Sequence, residues 1–244
     1  MEKTICFGGV SVSFFGIELL IVNFNLIVTF VLYHQWYEVV CEYPMVGFFK
    51  FHRNDEKSFL KGYLTGQILV SSPFMNDARF HSAVIYMCGH DRNGAMGFII
   101  NKPLPNIRFR DLLDQLHIKH KGTTLELPVY YGGPVEVGRG FVLHTSDYHH
   151  PSTVKINEEF AITATLEILK VIADQEGPEQ SLLTLGYTGW SAGQLEQEIQ
   201  ENQWLVLKGT KDFVYKTMVD TMWNKAYENL GIDPHLMTLE SGRA

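Results

Sequence analysis

Beyond residue 60 the chain is cut into short apolar segments of two periodicities, and these do not alternate strictly. "GQILVSSP", "HSAVIYMCGH", "GAMGFIINKP", "LPVYYGGPV", "GRGFVLHTS", "SLLTLGYTGW" and "WLVLKG" are rich in β-branched and aromatic residues and are bounded by glycine, proline or polar turns. They read as strands. "DRNG" between the second and third predicts a hairpin. A glycine-rich turn at Glu136 to Gly138 is expected between the fourth and fifth. Phe109, Leu112, Leu113 and Leu116 lie at helical spacing. Ile162, Leu166, Leu169 and Ile172 or Ala173 make a second helical stripe, stopped by Gly177 and Pro178. Met222, Trp223, Ala226, Tyr227 and Leu230 make a last helix that ends in a left-handed cap at Gly231. Strands and helices mixed in this way, without a repeating strand–helix–strand unit, predict an α+β fold.

Composition matters here for what it opposes. With 45% hydrophobic and 19% charged residues the chain can bury a core. The formal charge is −7, and from residue 60 onward 16 Lys+Arg face 21 Asp+Glu. That balance does not favour a phosphate-binding surface. Cys6, Cys41 and Cys88 are too few and too scattered for a disulfide framework or a zinc pattern, which suits a reducing compartment.

Residues 1–59 differ from the rest. Ile5 to Leu32 is almost continuously apolar and long enough to cross a bilayer, so residues 5–32 are a candidate membrane anchor. Glu18, Asn23 and Asn25 inside it oppose that reading. The run is too long for a signal peptide and lacks a small-residue cleavage site. The alternative is an unusual extension, with translation beginning further in, at Met45. "KFHRNDEK", Lys50 to Lys57, reads as a charged linker, giving an extension at 1–59 and a domain at 60–244.

"LGYTGWSAGQLEQEI", Leu185 to Ile199, joins a strand to a helix through three glycines. Their spacing matches neither GxGxxG nor GxxxxGK[ST]. Ser191 and Gln194 fit a capping box, with Trp190 and Leu195 as its hydrophobic staple. Glu196 and Glu198 then favour the helix dipole and would oppose an anion. The other reading is a small-molecule pocket walled by Tyr187 and Trp190.

Other chemistry is sparse. Cys88 and His90 stand two apart on a strand and with His144 could hold a metal or form a Cys–His pair. The alternative is a buried thiol and ordinary hydrogen-bonding histidines. Lys102, Arg108, Arg110, Lys119 and Lys121 gather near the first helix, but Asp111 and Asp114 interrupt them, so a solvated face competes with nucleic-acid contact. Arg139, between two glycines, could fork onto a carboxylate or phosphate, or pair with a nearby acid. His149 and His150 read as a solvated loop.

The succession "ILVSSPFM", "SAVIYMCGHDRNGAMGFIINKP", "DLLDQLHI", "YYGGPVEVGRGFVLH", "ITATLEILKVIA", "LGYTGWSAGQLEQEIQENQWL" and "LGIDPHLM" closely resembles the AlgH-like (YqgE-like) bacterial family over about residues 62–244. The resemblance implies one compact α+β domain, with a small mixed or antiparallel β-barrel-like sheet surrounded by helices, in the cytoplasm. Some relatives are named as transcriptional regulators, but the family brings no agreed catalytic activity. Relatives often carry Arg where His81 stands, which removes a candidate anion contact here, and Gly where Ser191 stands, which strengthens the helix-cap reading. The N-terminal apolar segment is outside the family pattern.

The expected function is therefore a non-enzymatic binding or regulatory protein acting through an unidentified protein or small-molecule partner. Asn101, Arg139, His144, Tyr187 and Trp190 are its candidate ligand-binding residues. No catalytic residue, metal or cofactor is assigned. Direct nucleic-acid binding is the alternative, opposed by the acidic balance and by the lack of a helix-turn-helix signature. An enzyme with a site near Tyr187, Arg139 or Cys88 is the second.

Overall fold

The computed structural model describes residues 3–7, 10–14, 63–119 and 127–237. The chain divides into two units, Met1–Gln35 and Trp36–Ala244. In the first, β1 (Lys3–Phe7) pairs antiparallel with β2 (Val10–Phe14). The described part of the candidate anchor is thus strand rather than helix. The rest of it, Met45 and the 50–57 linker lie outside the described residues. Among the described residues no helix is long and apolar enough to cross a membrane.

The second unit is α+β, a curled, mostly antiparallel sheet with helices packed on it. Its strands are β3 (Gln67–Ser71), β4 (Val84–Asp91), β5 (Gly94–Ile99), β6 (Pro103–Arg108), β7 (Pro128–Tyr131), β8 (Val135–Thr145), β9 (Val154–Lys155), β10 (Phe160–Thr163), β11 (Ser181–Ser191) and β12 (Trp204–Lys208). The main path runs β12-β3-β4-β5-β11-β8-β10-β9, and β6 joins through β7. Helices are α1 (Phe109–Gln115), α2 (Leu166–Ala173), α3 (Gln194–Gln200), α4 (Lys211–Lys216) and α5 (Met222–Leu230).

Period two explains why the sheet is covered on both faces. On β4, Val84, Tyr86 and Cys88 enter one core with Phe98, Phe141 and Phe160, while Ile85 and Met87 enter another with Leu69, Ile99 and Trp190. On β11, Leu182 faces the first core and Leu183 a third, beside Phe109, Val142 and Ile168.

β11 organises the sheet. Leu183, Thr184 and Leu185 each pair with β7 on one edge, in parallel, and with β8 on the other, antiparallel. β5 continues the first edge, pairing with Thr188 to Ser191. The link from β7 to β8 must therefore cross β11. It does so where Gly132 and Gly133 meet Gly186: the Gly132 amide donates to Leu185 O (2.8 Å) and its carbonyl accepts from Ile99 N (2.9 Å). A side chain on Gly132 would overlap the Gly186 carbonyl, and one on Gly133 the Tyr187 backbone. Backbone crosses backbone here, which only glycine permits.

Several expectations need correction. Glu136 to Gly138 is not a turn between two strands. It lies within β8, where residues 136–139 bulge opposite the single residue Gly186, with Glu136 at φ +47°. Ile162 belongs to β10, and α2 begins after Thr165. That helix stops at Gln175, not Gly177. Gln175 takes the left-handed conformation (φ +60°), its amide donates to Ile172 O (3.0 Å), and the Glu176 amide donates to Val171 O (2.8 Å). This is a Schellman closure. β6, β9 and α4 have no counterpart in the sequence reading; α4 is opened by Thr210, whose Oγ1 accepts from Phe213 N (3.3 Å). The Asp91–Gly94 hairpin and the left-handed cap at Gly231 (φ +70°) form as expected.

The Ser191 cap is also corrected. α3 starts after Gly193 (φ +76°), and Ser191 is the last residue of β11. What survives is the reverse half of the box: Gln194 Oε1 accepts from both Ser191 N and Ser191 Oγ, each at 3.0 Å. Trp190 and Leu195 share a core as the staple required. Because the hydroxyl caps no helix amide and is exposed, Ser191→Ala is expected to shift stability by no more than about 0.5 kcal/mol in denaturant melts. A loss near 1 kcal/mol, the usual cost of removing an N-cap, would restore the cap assignment.

Candidate functional site

The bulge in β8 brings Arg139 and Tyr187 together. Four residues must fit opposite one, so the chain leaves the ladder and returns at Gly140, opposite Leu185. Arg139 Nη1 bonds Glu136 Oε2 (3.0 Å), and its guanidinium lies 5.1 Å from the centroid of the Phe141 ring. Phe141 meets Tyr187 edge to face at 5.9 Å and rests below on Phe98 at 5.2 Å. Burial raises the Tyr187 phenol above its ordinary range, Glu136 adds to this, and Arg139 opposes it. Val137, at the tip of the bulge, is 49% exposed. The result is a half-buried aromatic platform topped by one guanidinium and edged by an exposed aliphatic side chain.

The other candidate residues are elsewhere, and each has its polar atoms engaged within the fold. Asn101 accepts from Val84 N at Oδ1 (2.9 Å) and donates from Nδ2 to Ser82 O (2.8 Å). His144 is fully buried. Its Nδ1 donates to Thr145 O (2.8 Å), which leaves Nε2 to accept from Thr163 Oγ1 (2.9 Å); Thr163 lies 2.7 Å from Thr153 Oγ1. Burial lowers the His144 pKa, so the neutral ring with this tautomer is favoured. Trp190 is buried, and its indole donates to Glu198 Oε2 (2.8 Å).

Glu198 is the residue that sequence reasoning misread as a dipole charge. Its Oε2 also accepts from the Trp204 indole (2.7 Å), and Oε1 accepts from Gln194 Nε2 (2.9 Å). The available signal was two tryptophans on flanking strands with a carboxylate, Glu198, on the helix between them. Phe141 was missed as a platform, although its position two after Arg139 on one strand face could have indicated it.

Cys88, His90 and His144 do not form one site. The Cys88 thiol is buried, donates to Tyr86 O (3.6 Å), and is pushed well above its ordinary pKa by burial, the opposite of an activated nucleophile. His90 accepts from Leu64 N at Nδ1 (3.2 Å), so Nε2–H donates to Glu196 Oε1 (3.1 Å). Among the described residues no group of three or more His, Cys, Asp or Glu side chains could hold a metal. Arg108 clamps Asp111 through two 2.9 Å bonds, and Lys102 donates to Arg79 O (2.8 Å). Lys121 lies outside the described residues.

The AlgH-like family profile matches residues 68–235. A UPF0301 protein of Rhodospirillum rubrum is 45% identical over 184 residues, covering 75% of this chain and 96% of that protein. One from a Jannaschia species is 46% identical over 183 residues, covering 74% and 95%. Among solved structures, the chain is similar to the AlgH protein of Pseudomonas aeruginosa, at 34% identity and TM-score 0.62, over 79% of this chain and 99% of that one.

Proposed function

Because the chain belongs to the AlgH-like family, we propose that it is a cytoplasmic, non-enzymatic regulatory protein that binds a protein partner through the face built by Glu136, Val137, Arg139, Phe141 and Tyr187. The observation that carries this reading is the Arg139 guanidinium placed over the buried Phe141 ring beside Tyr187. Arginine and tyrosine on a rigid, partly desolvated platform are the side chains that dominate binding energy at interfaces. The guanidinium, held by Glu136 and seated over Phe141, loses little freedom when a partner's backbone carbonyl reaches its remaining N–H groups. Asn101, His144 and Trp190 act behind the surface, holding strand ends and core.

Nucleic acid has no comparable support. Arg79, Arg108, Lys155, Lys216 and Lys225 each sit within 3.0 Å of a neighbouring carboxylate, so their charges are locally balanced. Counterion release needs uncompensated cations.

A photo-crosslinking side chain at position 137 of the full chain, expressed in its own cells, is expected to trap one discrete protein, and Arg139→Glu is expected to abolish that adduct. Adducts no different from those of a crosslinker at exposed Met218 would overturn the reading. Sub-micromolar binding to mixed-sequence duplex DNA, with a steep salt slope in fluorescence anisotropy, would replace it with the nucleic-acid alternative.

A further inference from the structure

A separate cleft of about 240 Å³ opens between the end of β3, the loop into β4, the first turn of α5 and the segment after that helix. Ser72, His81, Ser82, Trp223 and His235 line it, with the rings of Pro73 and Pro234. Its walls are fixed by bonds to residues behind it. Ser82 sits at φ +49°, a conformation a non-glycine residue rarely holds, and its carbonyl accepts the Asn101 side-chain amide. The Trp223 indole N–H donates to Ser71 O (2.9 Å), and the ring packs against Tyr227 at 4.5 Å. Tyr227 Oη donates to the same carbonyl (3.0 Å). Asp233 accepts from His235 N (2.9 Å), fixing the segment that carries His235.

The donor set is selective. Two histidines and two serines line the cleft, and none of the lining residues is a carboxylate. Imidazole offers an N–H donor in either protonation state, and a positive charge when protonated. Of the acids near the cleft, Asp77 is paired with Arg79 (2.6 Å), and Asp233 accepts from the His235 amide. With its N–H turned away, Trp223 offers the cleft only apolar ring surface, as do the two prolines. Such a wall suits a flat, apolar body. A space of about 240 Å³ accommodates a small molecule.

We propose that this cleft binds a small planar carboxylate, its anionic end held by His81 and His235 and its body lying on Trp223. The site is distinct from the Arg139–Tyr187 face and does not depend on the partner-binding reading. Asn101 acts as a positioning residue, through Ser82.

The test is a titration of the ¹⁵N-labelled full chain with sodium benzoate, followed by two-dimensional NMR. Saturable shifts are expected at Ser72, His81, Ser82, His235 and the Trp223 indole. Benzamide, the neutral counterpart, is expected to bind at least tenfold more weakly. His81→Ala and His235→Ala should each weaken benzoate at least tenfold without moving the melting temperature, since both side chains are exposed. Trp223→Leu should weaken benzoate and benzamide alike. No saturable shift at these residues, shifts scattered over the surface, or equal binding of benzoate and benzamide would overturn the proposal. A failure here leaves the crosslinking outcome at position 137 unaffected, so the two readings fall separately.

Discussion

Gly133→Ala is expected to cost more than about 3 kcal/mol, a large part of the stability of a domain this size. The new methyl would overlap the carbonyl of Tyr187 and stand 2.5 Å from Thr188 N, with backbone on both sides of the crossing and no flexible side chain to yield. The residue also holds φ +151°, outside the range ordinary side chains adopt. Gly193→Ala is the matched control. It too has a positive φ (+76°), but a methyl there meets nothing within 4 Å. It should cost only about 1 kcal/mol, the conformational penalty alone. Denaturant melts of both variants decide the matter. Equal losses would mean that the crossing of β7–β8 over β11 is not as tight as described. A molten Gly133→Ala beside a folded Gly193→Ala would show that the fold depends on backbone passing backbone at Gly133.

Glu198→Leu is expected to cost about 3 kcal/mol. One carboxylate oxygen satisfies the indole N–H groups of Trp190 and Trp204, both buried. Hydrogen bonds to a charged acceptor contribute about 1.5–3 kcal/mol each, and a buried donor left unmatched costs its full desolvation. Glu198→Gln keeps an oxygen that can accept both indoles and should cost only about 1 kcal/mol. Urea melts followed by tryptophan fluorescence check the ordering. A mild Glu198→Leu would mean that water reaches both indoles.

Much of the fold was legible because its signals are local. Val84–Asp91 and Ser181–Ser191 were legible as short runs rich in β-branched and aromatic residues between turn residues, a signal that survives burial on both faces. The "DRNG" hairpin and the Gly231 cap depend on a few adjacent residues. Errors came where one residue type can serve two geometries. Gly177 and Pro178 looked like the end of a helix, yet Gln175 adopts the left-handed cap because the Schellman bonds hold it there. Ser191 looked like an N-cap because its pattern with Gln194 is right, but the strand continues through it and the cap position falls two residues later, at Gly193.

The candidate site was less legible. Arg139 and Tyr187 were both singled out, but their meeting depends on a four-residue bulge that exists only because β8 pairs with β11. Asn101, His144 and Trp190 looked available in the sequence, and the structure commits their polar atoms to Val84, Ser82, Thr145, Thr163 and Glu198.

By itself, the sequence determined most of the element types, the α+β class and the AlgH-like family, since periodicity, turn residues and ordered motifs are all properties of neighbouring positions. Only the tertiary structure decided that Gly132, Gly133 and Gly186 let one backbone cross another, that Glu198 serves two indoles, and that His81, Trp223 and His235 border one cleft. Those relations join residues far apart in the chain, and strand pairing and packing bring them together where no local propensity could.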